Sequence, residues 1–236
     1  MMSSDLTFTK QIDKNLARCR GLTGWILRTF KSRNILVMKT LLKSLVIPRL
    51  DYCSQLYSPS LMQDWCKLEG VQRTFTSRIS EVKHLDYWGR LKELKLLSVQ
   101  RRHERYTIIY TWKIIQKLVP NLSSNPVTTR YSERRGLYCN LPQLRNTRCP
   151  AKTVSIRESS FAVRGPKLFN CLPGHIRSMS GVSVDTFKRQ LDKFLETIPD
   201  MPTVPGYAGR RPARTNSILD MAPLIPVNCG GHTCRP

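Results

Sequence analysis

The sequence predicts a mainly α protein: a helical bundle over residues 1–118, an irregular α+β segment closed by a last helix over 119–198, and a disordered Pro/Gly-rich tail over 199–236. Three observations carry this. Through the first half, apolar residues recur at three- and four-residue steps, the spacing of one helix face. Beyond Val119 that period gives way to short apolar pieces broken by Arg, Pro and Gly. After Thr197 the chain holds seven of its fifteen prolines and four glycines, too little apolar surface to offset the entropy of ordering it. With 236 residues, 40% of them hydrophobic, the remainder is long enough to bury a sizeable core.

Phe8, Ile12, Leu16, Cys19, Leu22, Ile26 and Phe30 define the first helix, which Gly21 and Gly24 are expected to weaken or break. A second helix starts near Asn34, whose side chain suits an N-cap, and runs through Leu41, Leu42 and Leu45. Pro48 should end or kink it, because proline removes an internal hydrogen bond and crowds the preceding turn; Asp51 and Tyr52 then begin a connection. The third helix has the cleanest period, through Leu61, Trp65, Leu68, Val71 or Gln72, Phe75 and Ile79. Ser60 is its expected cap, and Lys67, Arg73 and Arg78 occupy its other faces.

Asp86 opens a short helix, "DYWGRLKELKLL", and Ser98 caps a longer one ending near Leu118. From Tyr106 onward that helix is apolar nearly all round and is expected to be buried. Trp25, Trp65, Trp88 and Trp112 lie on apolar helical faces and are assigned to the core rather than to base stacking. Past Val119 one or two short strands are expected, such as Thr153 to Ile156. Ser183 caps the last helix, with Val184, Phe187, Leu191 and Phe194 on one face.

Charge narrows the partner. Lys and Arg outnumber Asp and Glu by 39 to 16, a formal net charge of +23, so the chain repels itself unless it meets a polyanion. Nucleic acid is the first expectation. An acidic membrane is the rival, but no stretch gathers the charge into one basic amphipathic helix. The first turns of the Ser98 helix, "VQRRHER", place Arg101, Arg102 and Arg105 at the positive end of the helix dipole, a cost of about 0.3–1 kcal/mol per exposed charge that a phosphate would relieve. The alternative is that Glu93 and Glu104 neutralise them inside the protein. Arg73 and Arg78, with Lys39 and Lys43 on the second helix, complete the expected backbone contacts.

Other chemistries are thinly represented. The eight cysteines include no CxxC pair and no disulfide framework. The first residues, "MMSSDLTFTKQIDK", are too polar for a signal peptide, and no apolar run approaches the roughly 18 residues of a membrane span, so an intracellular protein, nuclear or cytoplasmic, is expected. "CGGHTC" brings Cys229, His232 and Cys234 together, three ligands where a structural zinc site takes four. His84, His103, His175 and His232 have no Ser/Asp or Cys arrangement around them for nucleophilic catalysis. "GRRPAR", Gly209 to Arg214, is assigned to a solvated tail. No catalytic residue, metal or cofactor is expected.

Six segments in order then carry a resemblance. "LLKSLVIPRLDYCSQLYSP" is similar to a pattern Leu-Tyr-x-x-x-Val-x-Pro-x-Leu-Glu-Tyr, with Asp51 where Glu is usual. Leu68, Glu69, Val71, Gln72 and Arg73 match Leu-Glu-x-Val-Gln-Arg; Tyr87, Arg90, Leu91 and Leu94 match Tyr followed by Arg-Leu-x-x-Leu. Arg101 and Arg102 match an Arg-Arg helix. Phe161, Arg164, Asn170, Leu172 and Pro173 match Phe-x-x-Arg…Trp-Asn-x-Leu-Pro, with Phe169 for the Trp, and Phe187 and Lys188 match a closing Phe-Lys-x-x-Leu.

From Ser3 to Leu195 the chain thus resembles the region beyond the palm in reverse transcriptases of non-LTR retrotransposons, jockey-like LINE elements in particular. The resemblance implies a helical thumb over 1–118 that grips the backbone of a template–primer duplex without reading its sequence. The family's catalytic Asp-Asp turn has no counterpart here, since the chain contains no Asp-Asp pair, so no polymerase activity is expected of it alone. It implies RNA, RNA–DNA hybrid or DNA as partner, and the other polymerase domains if the chain is a fragment. A relic of a decayed element and a helical protein–protein adaptor are the alternatives.

Overall fold

The computed structural model describes residues 8–56, 58–120, 127–133, 136–142, 151–203 and 216–221. Within them the protein is mainly helical with one two-stranded antiparallel sheet. Helix α1 (Thr9–Thr29) runs unbroken through Gly21 and Gly24. Each glycine costs a helix about 1 kcal/mol relative to alanine, and burial of Ile12, Leu16, Cys19 and Ile26 outweighs that. Arg33 closes the end of α1 by donating to the carbonyls of Leu27 and Phe30, two acceptors the helix leaves unpaired.

Helix α2 (Ile35–Leu41) is capped as expected, Asn34 Oδ1 accepting from Leu36 N at 2.8 Å. Pro48 does not end the run. The turn before it, Leu42–Val46, widens into π form, with the Ile47 N–H bonded to Leu42 O, and α3 (Ile47–Asp51) continues past the proline. Helix α4 (Met62–Thr76) starts one residue later than its serine signal: Leu61 is the cap residue, and no side chain caps the end. Asp86 caps α5 (Tyr87–Glu93) and Ser98 caps α6 (Val99–Ile115), accepting from Gly89 N and Arg101 N respectively.

After α6 come β1 (Thr129–Ser132) and β2 (Gly136–Cys139), paired in register Thr129 with Cys139. The sheet therefore lies upstream of Thr153 to Ile156, which belongs to α7 (Ala151–Ser159) instead. β-branched residues favour strands only where a pleated neighbour exists, and here the next element is α8 (Phe161–Asn170). Asn170 holds the hairpin at both groups of one residue, accepting from Cys139 N at 2.8 Å and donating to Cys139 O at 2.9 Å. α8 crosses α6 closely at Gly165, where a Cβ would sit 2.7 Å from Thr111 Oγ1. α9 (Gly174–Arg177), α10 (Val184–Glu196), capped by Ser183, and α11 (Ile218–Met221) complete the order.

Two cores result. The first gathers α1 to α5 around Leu16, Ile26, Leu42, Leu68 and Phe75. The second gathers Ile108, Ile109 and Trp112 of α6 with Phe169, Phe187, Leu191 and Leu195. Trp112 stacks on Phe187 with centroids 4.4 Å apart and donates Nε1–H to Met179 O. The boundary expected after Leu118 thus falls inside α6, whose first turns serve one core and whose later turns serve the other. Ile218 and Met221, from the segment expected to lack any core, are buried in the second. Most of that segment, including "GRRPAR" and Cys229, His232 and Cys234, lies outside the described residues.

Candidate nucleic-acid interface

Of the three arginines at the start of α6, two are buried and the third, Arg105, is half-buried in an ion pair. Arg101 is fully buried and its Nη2 donates to Pro199 O at 2.8 Å, with Asp200 Oδ1 4.0 Å from Nε. Arg102, 7% exposed, donates Nε to Asp51 Oδ2 at 2.9 Å and Nη1 to Gln72 Oε1 and Leu97 O. Arg105 makes a two-pronged pair with Asp192 of α10 at 2.5 and 2.8 Å. The anion expected at this helix end is present, but it belongs to the chain: Asp200 Oδ2 accepts from Ser98 N at 2.7 Å. Neutralisation is internal, by Asp51, Asp192 and Asp200 rather than by Glu93 and Glu104. Glu104 instead pairs with Arg164 at 3.0 Å. Arg101, Arg102 and Arg105 are therefore withdrawn as phosphate contacts.

The other four cations differ. Lys43 and Arg78 are exposed, Lys39 and Arg73 half-buried, and none has a carboxylate within ion-pair distance among the described residues. Lys39 and Lys43 lie one turn apart on the helix that runs from α2 into the π turn, whereas Arg73 faces a groove beside α1 and Arg78 follows the end of α4.

A larger basic surface lies on α1, opposite its apolar stripe. With Ile12, Leu16, Cys19, Thr23 and Ile26 turned inward, α1 presents Lys10, Lys14, Arg18 and Arg28 outward. Lys10, Lys14 and Arg18 stand at successive turns, about 6 Å apart along the axis, comparable to the separation of neighbouring phosphates on one strand. Trp25, 48% exposed, lies among them, which corrects its assignment to the core; Trp65 and Trp112 are buried as expected. The signal was legible as a four-residue cation period. This is a basic helix face, but not one built for lipid, because the apolar side of α1 is already covered by the protein. No helix among the described residues is long and apolar enough to cross a membrane.

The carboxylates explain why the surface is so positive. Between residues 8 and 120, Asp51, Asp64, Glu69 and Glu104 have interior partners. Asp13 holds Lys67, Glu81 accepts from Ile35 N, and Asp86 caps α5. Only Glu93 is left without a side-chain partner among these residues. Four of these eight carboxylates, Asp51, Asp64, Glu69 and Glu104, are turned inward; the other four are exposed and are outnumbered by the cations of the same span.

That interior network coincides with the segments that carry the resemblance. Asp51, Gln72 and Arg102 bind one another; Arg90 donates to Thr76 Oγ1 and Leu85 O; Arg164 meets Glu104; Asn170 clamps the hairpin. Beside Asp51, His103 lies 3.3 Å away, and its burial holds the imidazole pKa below the usual value. Arg102 and His103 outweigh burial at Asp51 and keep its carboxyl below the ordinary range. Glu69 accepts from the Tyr87 hydroxyl and from Val99 N at 2.8 Å, yet complete burial pushes its carboxyl up to about 7.

A folded-state pKa raised above the unfolded value means the native protein binds the extra proton between about pH 4.5 and 7, so this group's contribution falls as pH rises through that window. The stability difference between wild type and Glu69→Gln, measured by urea titration, is expected to shift against the wild type by about 3 kcal/mol from pH 4.5 to 7.5. His103, whose lowered pKa works in the opposite sense below pH 6.5, is present in both proteins and drops out of the difference. A pH-independent difference would show Glu69 to be ionised throughout.

Comparison with models of known families, with curated proteins and with solved structures finds no match to this chain.

Proposed function

We propose that the protein is the thumb and post-thumb portion of a non-LTR retrotransposon reverse transcriptase, and that it holds nucleic-acid backbone without reading sequence. The observation that carries the binding half is the disposition of charge: four of the eight carboxylates between residues 8 and 120 turned into the fold, and an outer face of α1 bearing Lys10, Lys14, Arg18 and Arg28. The family half is supported by segment order and by where the matching residues sit. Asp51, Gln72, Arg90, Arg102, Arg164 and Asn170 among them make polar contacts that tie one element to another, the parts of a fold least free to change independently. Without the family's Asp-Asp turn in the chain, its role is to position a strand while chemistry occurs elsewhere.

Purified protein is expected to bind an RNA–DNA hybrid with affinity that falls steeply with salt. Replacing Lys10, Lys14, Arg18 and Arg28 together by Gln is expected to lower the slope of log K against log salt by about 0.7–0.9 for each phosphate no longer neutralised. Equal slopes for the two proteins would remove α1 as the interface, and no binding at low salt would remove the function. A cooperative thermal transition followed by circular dichroism is expected of a retained domain; a broad featureless melt would favour a relic.

A further inference from the structure

We infer that the groove between α1 and α4 is a phosphodiester-binding site. It encloses about 410 Å³ and is lined by Arg20, Thr23 and Leu27 from α1 and by Gly70, Val71 and Arg73 from α4. Four features point to a ligand there.

Arg20 and Arg73 face it from opposite helices with no carboxylate partner among the described residues. Lys67, also at the groove, is held by Asp13 at 3.1 Å and Asp64 at 3.4 Å, which occupies both local carboxylates with one lysine. Thr23 also lines the groove; it is 6% exposed, and its Oγ1 has no hydrogen-bond partner and is closed to solvent, so a turn about χ1 is what would offer this unpaired hydroxyl to an anion. Gly70 is not required by helix packing: a Cβ built on it meets nothing within 4 Å, so the space above it is open.

The ligand class follows from the lining. Two guanidiniums and a hydroxyl suit a phosphate oxygen cluster, while Leu27 and Val71 form an apolar wall that a free ion does not use and a sugar does. A phosphate carrying its ribose fits better than inorganic phosphate. The site deepens the nucleic-acid function proposed above and rests on it for the source of the phosphate.

The test fills the groove without changing charge. Gly70→Leu is expected to weaken RNA–DNA hybrid binding about tenfold, the worth of one charge-assisted hydrogen bond, while the melting temperature is kept. Gly70→Ala, with open space for its methyl group, serves if the leucine variant fails to fold and is expected to weaken binding in the same sense. Arg20→Gln with Arg73→Gln is expected to weaken binding more than Lys83→Gln with Lys95→Gln, the same charge removed from exposed positions elsewhere.

Inorganic phosphate is the second probe, followed through the backbone amide resonances of Gly24 and Gly70. It is expected to shift them only at concentrations far above those of the hybrid. If filling the groove leaves hybrid affinity intact and both charge pairs weaken it equally, the groove is no subsite and general backbone binding stands alone. If the hybrid does not bind wild type but phosphate shifts both glycines at low concentration, the nucleic-acid function fails and the groove is a free-anion site. Silence from both probes overturns both.

Discussion

Arg102→Ala is expected to destabilise the protein by about 3–5 kcal/mol, the range for breaking a buried ion pair from one side. The side chain ties α6 to α3 through Asp51 and to α4 through Gln72, and it also satisfies Leu97 O. Truncation leaves the Asp51 carboxylate beside His103 alone, and His103 is held neutral by burial. Urea titration at neutral pH measures the loss. Arg102→Met, which removes the charge but keeps the bulk, should lose less. At a temperature where Arg102→Met remains folded, hybrid affinity is expected to stay within about twofold of wild type, because the guanidinium is buried against Asp51, Gln72 and Leu97 O. A large drop in affinity from a folded variant would return Arg102 to the interface.

The second large effect belongs to Glu104. It is fully buried, and its carboxylate gathers three groups: Arg164 Nη2 at 3.0 Å, Ser217 Oγ at 2.7 Å and Ile218 N at 2.8 Å. Glu104→Ala is expected to cost about 3–5 kcal/mol by stranding Arg164 and a backbone N–H in the interior. It should also release residues 216–221 before the rest. Hydrogen exchange at the Ile218 amide is expected to accelerate by more than exchange at Leu191, which lies in the same core but depends on no bond to Glu104. Equal acceleration at both amides would mean that the loss is global and that Glu104 does not tether the segment.

The contrast between what could be read in advance and what could not is a contrast of range. Asn34, Asp86, Ser98 and Ser183 act within three residues of themselves, and all four cap where their local chemistry places them. The apolar faces of α1, α4 and α10 followed from spacing in the same way. Thr153 to Ile156 failed because a strand needs a partner the segment itself does not specify. Arg101, Arg102 and Arg105 failed for a related reason. Their neutralising carboxylates come from Asp51 on α3, Asp192 on α10 and Asp200 beyond it, none within reach of a local pattern.

The candidate site divides the same way. Arg73 was legible as a surface cation on α4, but the groove it shares with Arg20 and Thr23 exists only once α1 and α4 have met. The outer face of α1 is written in the sequence as Lys10, Lys14, Arg18 and Arg28. Apolar spacing marks the buried stripe of a helix and says nothing of the opposite side, so the cation period passes unseen beside it.

One feature of the architecture limits how the molecule can be taken apart. Since α6 begins in one apolar interior and ends in another, a cut on either side of it among the described residues leaves one of the two cores without a wall. A chain stopped after Leu118 would keep the rod but leave Ile108, Ile109 and Trp112 bare to water, and one begun after it would lack its central beam. The two cores are joined for the plain reason that a single helix is structural material for both.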